Sequence, residues 1–134
     1  MKTAIKVSTV LILTPVILLA LYIAFLWATY IDETILTGSK YGFSIDSTKE
    51  QTYADIAKIK QQNPQVKVYI SYGQLAGDYL ILSPSKENYK EISKYDRWEL
   101  LLDGEGEFFN TIGLYFQGSA LTEIYRHRKY FEAP

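Results

Sequence analysis

The stretch from Val7 to Tyr30 carries no charged residue, and no other part of the chain restricts its folding as tightly. About 24 apolar or weakly polar residues make a helix of roughly 36 Å, more than the about 30 Å of a bilayer's hydrocarbon core. Trp27 and Tyr30 stand near one end, where rings with a polar edge favour a membrane interface. Pro15 removes one helical hydrogen bond, which Ser8, Thr14 or a local kink can cover. A cleaved signal peptide is the rival reading, and the basic head Met1–Lys6 suits both. The apolar run exceeds the usual length of such a signal, however, and leaves through Trp27-Ala28-Thr29-Tyr30 without a small-x-small cleavage pattern. The expectation is an N-terminal membrane anchor over residues 1–30, a single transmembrane helix meeting the lipid bilayer through Val7–Tyr30. Lys2 and Lys6 precede the run while Asp32 and Glu33 follow it. Positive residues stay in the cytoplasm. This predicts an inner-membrane protein with its N-terminus cytoplasmic and the remainder periplasmic or extracellular.

About 100 residues follow, enough for one domain and not two. The chain has no cysteine, so the core must hold that domain without disulfides, and a lipid-modified cysteine anchor is excluded. Twelve tyrosines and six phenylalanines supply aromatic surface for such a core. Fourteen basic against fifteen acidic residues, with Lys2 and Lys6 set apart, leave the domain mildly acidic. Nucleic acid, which calls for a strongly basic face, is not an expected partner.

Residues 31–46 read as a linker or edge strand, with Tyr41–Ile45 as the strand, and 47–134 as the α+β domain proper. Ser47-Thr48-Lys49-Glu50 matches a capping box, and Tyr53, Ile56, Ala57 and Ile59 recur at helical spacing until Asn63-Pro64 stops the helix. Val66, Val68, Ile70 and Tyr72 alternate as a half-buried strand. Asp78–Leu82 is a short strand apolar enough to lie centrally, and Ser83-Pro84 opens a second short helix carrying Tyr89 and Ile92. From Arg97 the pattern is a meander. Trp98, Leu100 and Leu102 share one face, Arg97, Glu99 and Asp103 the other; strands over Phe108–Phe116 and Leu121–Phe131 follow. The predicted domain is two helices packed on a mostly antiparallel sheet of about five strands.

Little in this chain points to catalysis. Asp103, Glu105 and Glu107 alternate with glycines as calcium ligands can, but the EF-hand template does not continue past them, and a solvated turn accounts for the same residues. His127 is the only histidine, and no G-x-S-x-G elbow accompanies it. It reads as a strand surface residue; a hydrolase built on it would lose its activity in His127→Ala. The expectation is a non-enzyme without metal or cofactor. Asp96, Glu99, Asp103, Glu105 and Glu107 form an acidic stretch and Arg126–Lys129 a basic one, which pair with neighbouring strands or face a partner. Tyrosine and arginine are enriched at interface hot spots. Tyr125, Arg126, Arg128 and Tyr130, with Asp103 and Glu105, are therefore the candidate partner-binding residues.

Two resemblances follow from these features. Ser47-Thr48-Lys49-Glu50 opening a helix, with Leu114-Tyr115-Phe116-Gln117-Gly118 leading to Leu121-Thr122-Glu123-Ile124, resembles the element order of the small lipoprotein of the outer-membrane β-barrel assembly machinery. That family carries an anchoring cysteine, which is absent here, and ends its helix on glycine-proline rather than Asn63-Pro64. The anchor, the lone small domain and the segments Trp98–Asp103 and Tyr125–Arg128 resemble small membrane-anchored bacterial immunity proteins. That second resemblance implies a periplasm-facing, protein-binding inhibitor that neutralises a toxin or hydrolase. The first implies a structural or assembly factor of the bacterial envelope.

Overall fold

The computed structural model describes residues 2–73, 77–104 and 109–130, with side chains from Leu13 onward. The chain divides into two compact units, Met1–Tyr30 with Lys129–Pro134, and Ile31–Arg128. In the first, α1 (Lys2–Thr29) keeps Pro15 inside it, and the Thr29 hydroxyl donates to the Phe25 carbonyl at 2.8 Å. Among the described residues no helix is long and apolar enough to cross a membrane, so the expected single transmembrane span is not upheld. A span takes about 20 consecutive apolar residues, roughly 30 Å of helix, and no described helix supplies that run.

The second unit holds β1 (Ile31–Ile35), β2 (Ser39–Lys40), β3 (Phe43–Ser44), α2 (Lys49–Gln62), β4 (Lys67–Ser71), β5 (Tyr79–Leu82), α3 (Tyr89–Ile92), β6 (Arg97–Leu101), β7 (Asn110–Gln117) and β8 (Ala120–Arg128). Six strands make one antiparallel sheet in the order β1-β8-β7-β6-β4-β5, while β2 and β3 pair separately. The architecture is α+β, with six strands where about five were expected. The extra strand is β1, which lies in the stretch read as a linker or edge.

Strand alternation separates the two faces of the sheet. Trp98 and Leu100 stand opposite Leu114 and Ile112, and Leu114 opposite Ile124, all on the face that receives α2 and α3. Tyr53 and Ile56 of α2, Ile92 of α3 and Phe43 of the small hairpin fill this core. The Trp98 ring lies 4.5 Å from Phe116 and meets Tyr53 edge-on at 6.1 Å, and its indole N–H donates to the Tyr95 carbonyl. Tyr53 hydroxyl donates to the Ser85 carbonyl at 2.8 Å, so the one buried phenol reaches a polar partner.

Local expectations shift in four places. The helix cap is Thr48 with Gln51, not Ser47 with Glu50: Gln51 N–H donates to Thr48 Oγ1 at 3.2 Å and Thr48 N–H to Gln51 Oε1 at 3.0 Å. Ser47 is engaged elsewhere, its carbonyl accepting from Leu121 N–H at 2.8 Å. Tyr41–Ile45 is no single strand; Tyr41 (φ 57°) and Gly42 (φ 87°) form the two-residue loop of the β2–β3 hairpin, both in the left-handed region that such a loop demands. Asp78–Leu82 yields β5 at an edge rather than the centre of the sheet. The second helix begins only at Tyr89, because Ser83 and Pro84 serve as acceptors for Lys60 Nζ, both at 2.9 Å. Thr48→Ala should therefore cost about 1 kcal/mol in denaturant unfolding, and Ser47→Ala less than about 0.5 kcal/mol. Equal losses would show that the cap is not where it is placed.

Candidate functional site: the outer face of the sheet

Side chains of the other parity point away from α2 and α3. The register sets one continuous row across all six strands: Thr34, Tyr125, Gly113, Glu99, Tyr69 and Ile81. Beside it runs a second row of Asp32, His127, Thr111, Leu101 and Lys67, and on its other side Glu123, Tyr115 and Arg97 follow one another. The Arg97 guanidinium lies 5.0 Å from the centre of the Tyr115 ring, a cation held over an aromatic face. Tyr69 and Tyr79 stack at 5.4 Å, and Tyr125 stacks on His127 at 6.3 Å. Gly113 makes room for this surface. A Cβ there would sit 3.0 Å from Tyr115 Cε2 and 3.4 Å from Tyr125 Cβ, so the Tyr115 ring lies across the bare backbone. Between β4 and β6 a depression of about 320 Å³ is lined by Tyr69, Ser71, Arg97 and Glu99. It offers a forked donor, a carboxylate acceptor, a hydroxyl and an aromatic wall, which are the means of recognition.

The residues singled out from the sequence do not form one site. Tyr125 belongs to the outer face, half-buried in its central row. Arg126 has the opposite parity and is 6% exposed; its guanidinium donates to the Thr111 carbonyl at 2.9 Å, to the His127 carbonyl and to Asn110 Oδ1. It lies 5.7 Å from the Tyr41 ring centre and acts as a structural cation rather than a contact residue. Arg128, of the same parity, ends β8 opposite Ile31 and Asn110. Tyr130 lies beyond β8, 56% exposed. Asp103 accepts from Asn110 Nδ2 at 3.1 Å, and Asn110 thereby links it to Arg126. Glu105 and Glu107 lie outside the described residues, and among the described ones no group of three metal-ligating side chains occurs. His127 is half-buried on the outer face.

The strands that carry the acidic and basic stretches, β6 and β8, are not neighbours, because β7 lies between them. The acids opposite the basic strand come from β1, where Asp32 faces His127 and Glu33 faces Arg126. Glu33 also takes Lys40 Nζ at 2.5 Å and the Tyr41 hydroxyl. Hydrogen bonds from Lys40 and then Tyr41 hold its carboxyl below the ordinary range, and the bond to Glu33 raises both Lys40 and Tyr41 above theirs. The residues the sequence reading passed over are Arg97, Glu99, Tyr69 and Tyr115. Their signal was the parity of β6, in which Arg97 and Glu99 oppose the Trp98 side. No protein-family model matches the chain, and comparison with curated proteins and with solved structures finds no match.

Arg126→Met leaves the Thr111 carbonyl and the Asn110 amide short of a buried partner, and should lower unfolding free energy by about 2–3 kcal/mol in urea titration. The Glu33 cluster carries a pH signature of known sign. Stability from the depressed carboxyl is complete above its ordinary 4.5 and is lost as pH falls through the lower folded value. Stability from Tyr41 and Lys40 is complete below their ordinary 10.0 and 10.5, and is lost as pH rises through the higher folded values. Glu33→Gln should flatten both limbs of the stability–pH profile, and unchanged limbs would remove the cluster from the account.

Proposed function

We propose that the Ile31–Arg128 unit is a protein-binding domain that receives its partner on the outer face of the sheet, and that it inhibits that partner, a toxin or hydrolase. The observation that supports this reading is the depression lined by Tyr69, Ser71, Arg97 and Glu99, with Tyr79 stacked on Tyr69 and the Arg97 guanidinium over the Tyr115 ring on the same face. Tyrosine and arginine dominate binding energy in protein interfaces because they bring large contact area with few rotatable bonds and a directional donor. An antiparallel sheet can hold an outer face of small polar residues in water at no penalty. Rings at alternate positions on three strands serve contact better than solubility.

The test is affinity capture with the full chain as bait, set against the double variant Tyr69→Ser/Arg97→Glu. One stoichiometric partner should be retained by the native chain, its activity should fall on binding, and the variant should bind it about 30-fold more weakly, equivalent to ~2 kcal/mol. The variant's thermal midpoint should stay within a few degrees of the native one. Retention equal to the native chain overturns the outer face as the site. A partner bound constitutively with its activity intact would overturn inhibition in favour of an assembly role.

A further inference from the structure

The two edges of the large sheet differ. β1 carries Asp32 and Glu33, charges that discourage a foreign strand from adding there. β5 reads Tyr79-Leu80-Ile81-Leu82 and carries none. Its backbone can be followed group by group. Tyr72 N–H donates to the Asp78 carbonyl at 3.0 Å, so antiparallel alternation assigns Leu80 and Leu82, opposite Ile70 and Val68, to the bonds with β4. Tyr79, Ile81 and Ser83 then turn their N–H and C=O groups outward. Two of these groups are already engaged: Tyr79 N–H donates to the Gly77 carbonyl at 3.1 Å, and the Ser83 carbonyl accepts from Asn88 Nδ2 at 2.8 Å. Among the described residues, the Tyr79 carbonyl, both groups of Ile81 and the Ser83 N–H are left directed away from the sheet.

We propose that β5 is the site of a two-fold antiparallel pairing between two copies of this chain, centred on Ile81. In that register the Ile81 N–H and C=O of one copy exchange hydrogen bonds with those of the other, and each Ser83 N–H donates to the opposite Tyr79 carbonyl. All four outward groups are used. The two engaged groups, Tyr79 N–H and Ser83 C=O, are the two that face each other across the pair, so nothing is left unmatched. A regular strand of another protein would instead present an acceptor and a donor to groups already occupied. Side-chain parity agrees: Leu80 meets Leu82 of the other copy on the helix side, while Ile81 meets Ile81 and Tyr79 meets Ser83 on the outer face. No charge opposes its like. Asp78 comes opposite Pro84, whose carbonyl accepts from Lys60 Nζ at 2.9 Å, so opposite charges meet at both ends.

The absence of cysteine makes the pairing directly testable in the full chain. Cα atoms of a hydrogen-bonded antiparallel pair lie about 5.5 Å apart, inside the span a disulfide bridges. Ile81→Cys should oxidise at dilute concentration to a covalent dimer of twice 15.4 kDa, at least tenfold faster than Thr34→Cys on the β1 edge. In sedimentation, Ile81→Pro should halve the particle mass without loss of ellipticity, because it removes an outward donor and no bond to β4. Ile81→Lys, which sets like charges against each other on the axis, should do the same. Oxidation of Ile81→Cys no faster than of Thr34→Cys overturns the proposal. So does a folded Ile81→Pro or Ile81→Lys variant of unchanged mass, which would place any self-association on another surface such as α1.

Discussion

The inward seating of Trp98 governs the rest of the domain. Fully buried against Tyr53 and Phe116, it contributes on the order of 3–5 kcal/mol relative to alanine, more than any surface interaction here can oppose. Strand residues alternate between faces, so placing Trp98 inward commits Leu100 inward and Arg97 and Glu99 outward. Pairing hands that choice to β7 and β8, and through β4 to Tyr69. A slip of one residue would drive a guanidinium into the core, which makes the register unforgiving. The recognition surface is in this sense a shadow of the core: its residues stand where they do because their neighbours had to be buried.

What was legible in the sequence was mostly local. The apolar spacing of α2 and its stop at Asn63 depend on residues within a few turns, and the structure ends the helix there, with Asn63 N–H donating to the Ile59 carbonyl. The alternation of β4, β6 and β7 was visible because the positions facing the helices are apolar and most of those between them are polar or small, Leu101 excepted. The cap was misplaced by one residue because both Ser47-x-x-Glu50 and Thr48-x-x-Gln51 satisfy the same pattern. What decides between them is a bond from Leu121, which is distant in sequence. Edge position is equally nonlocal: an apolar strand reads as central unless its missing neighbour is known. The long apolar run at the start was the strongest sequence signal and the least upheld.

The candidate site shows the same division. Arg126 sits in a run of cations that reads as a surface, yet it shares the parity of Ile124 and turns inward, where Thr111 and Asn110 of the adjacent strand supply acceptors. Nothing near it in sequence announces those acceptors. Arg97 and Glu99 were placed correctly on the far side of β6 from Trp98. Their significance appears only once β4 brings Tyr69 beside them and β7 brings Tyr115.

The first strand of the sheet is hydrogen-bonded to the last, Ile31 standing opposite Arg128. Nearly the whole domain must therefore leave the ribosome before β1 has anywhere to dock, and the loop closed by that contact is among the most entropically expensive the chain can make. Until then Asp32 and Glu33 keep the waiting strand soluble, and the small β2–β3 hairpin next to it closes over a loop of only two residues. Synthesis from the N-terminus thus produces the two ends of the ladder in the least convenient order, and the sheet is completed only once its last strand has emerged.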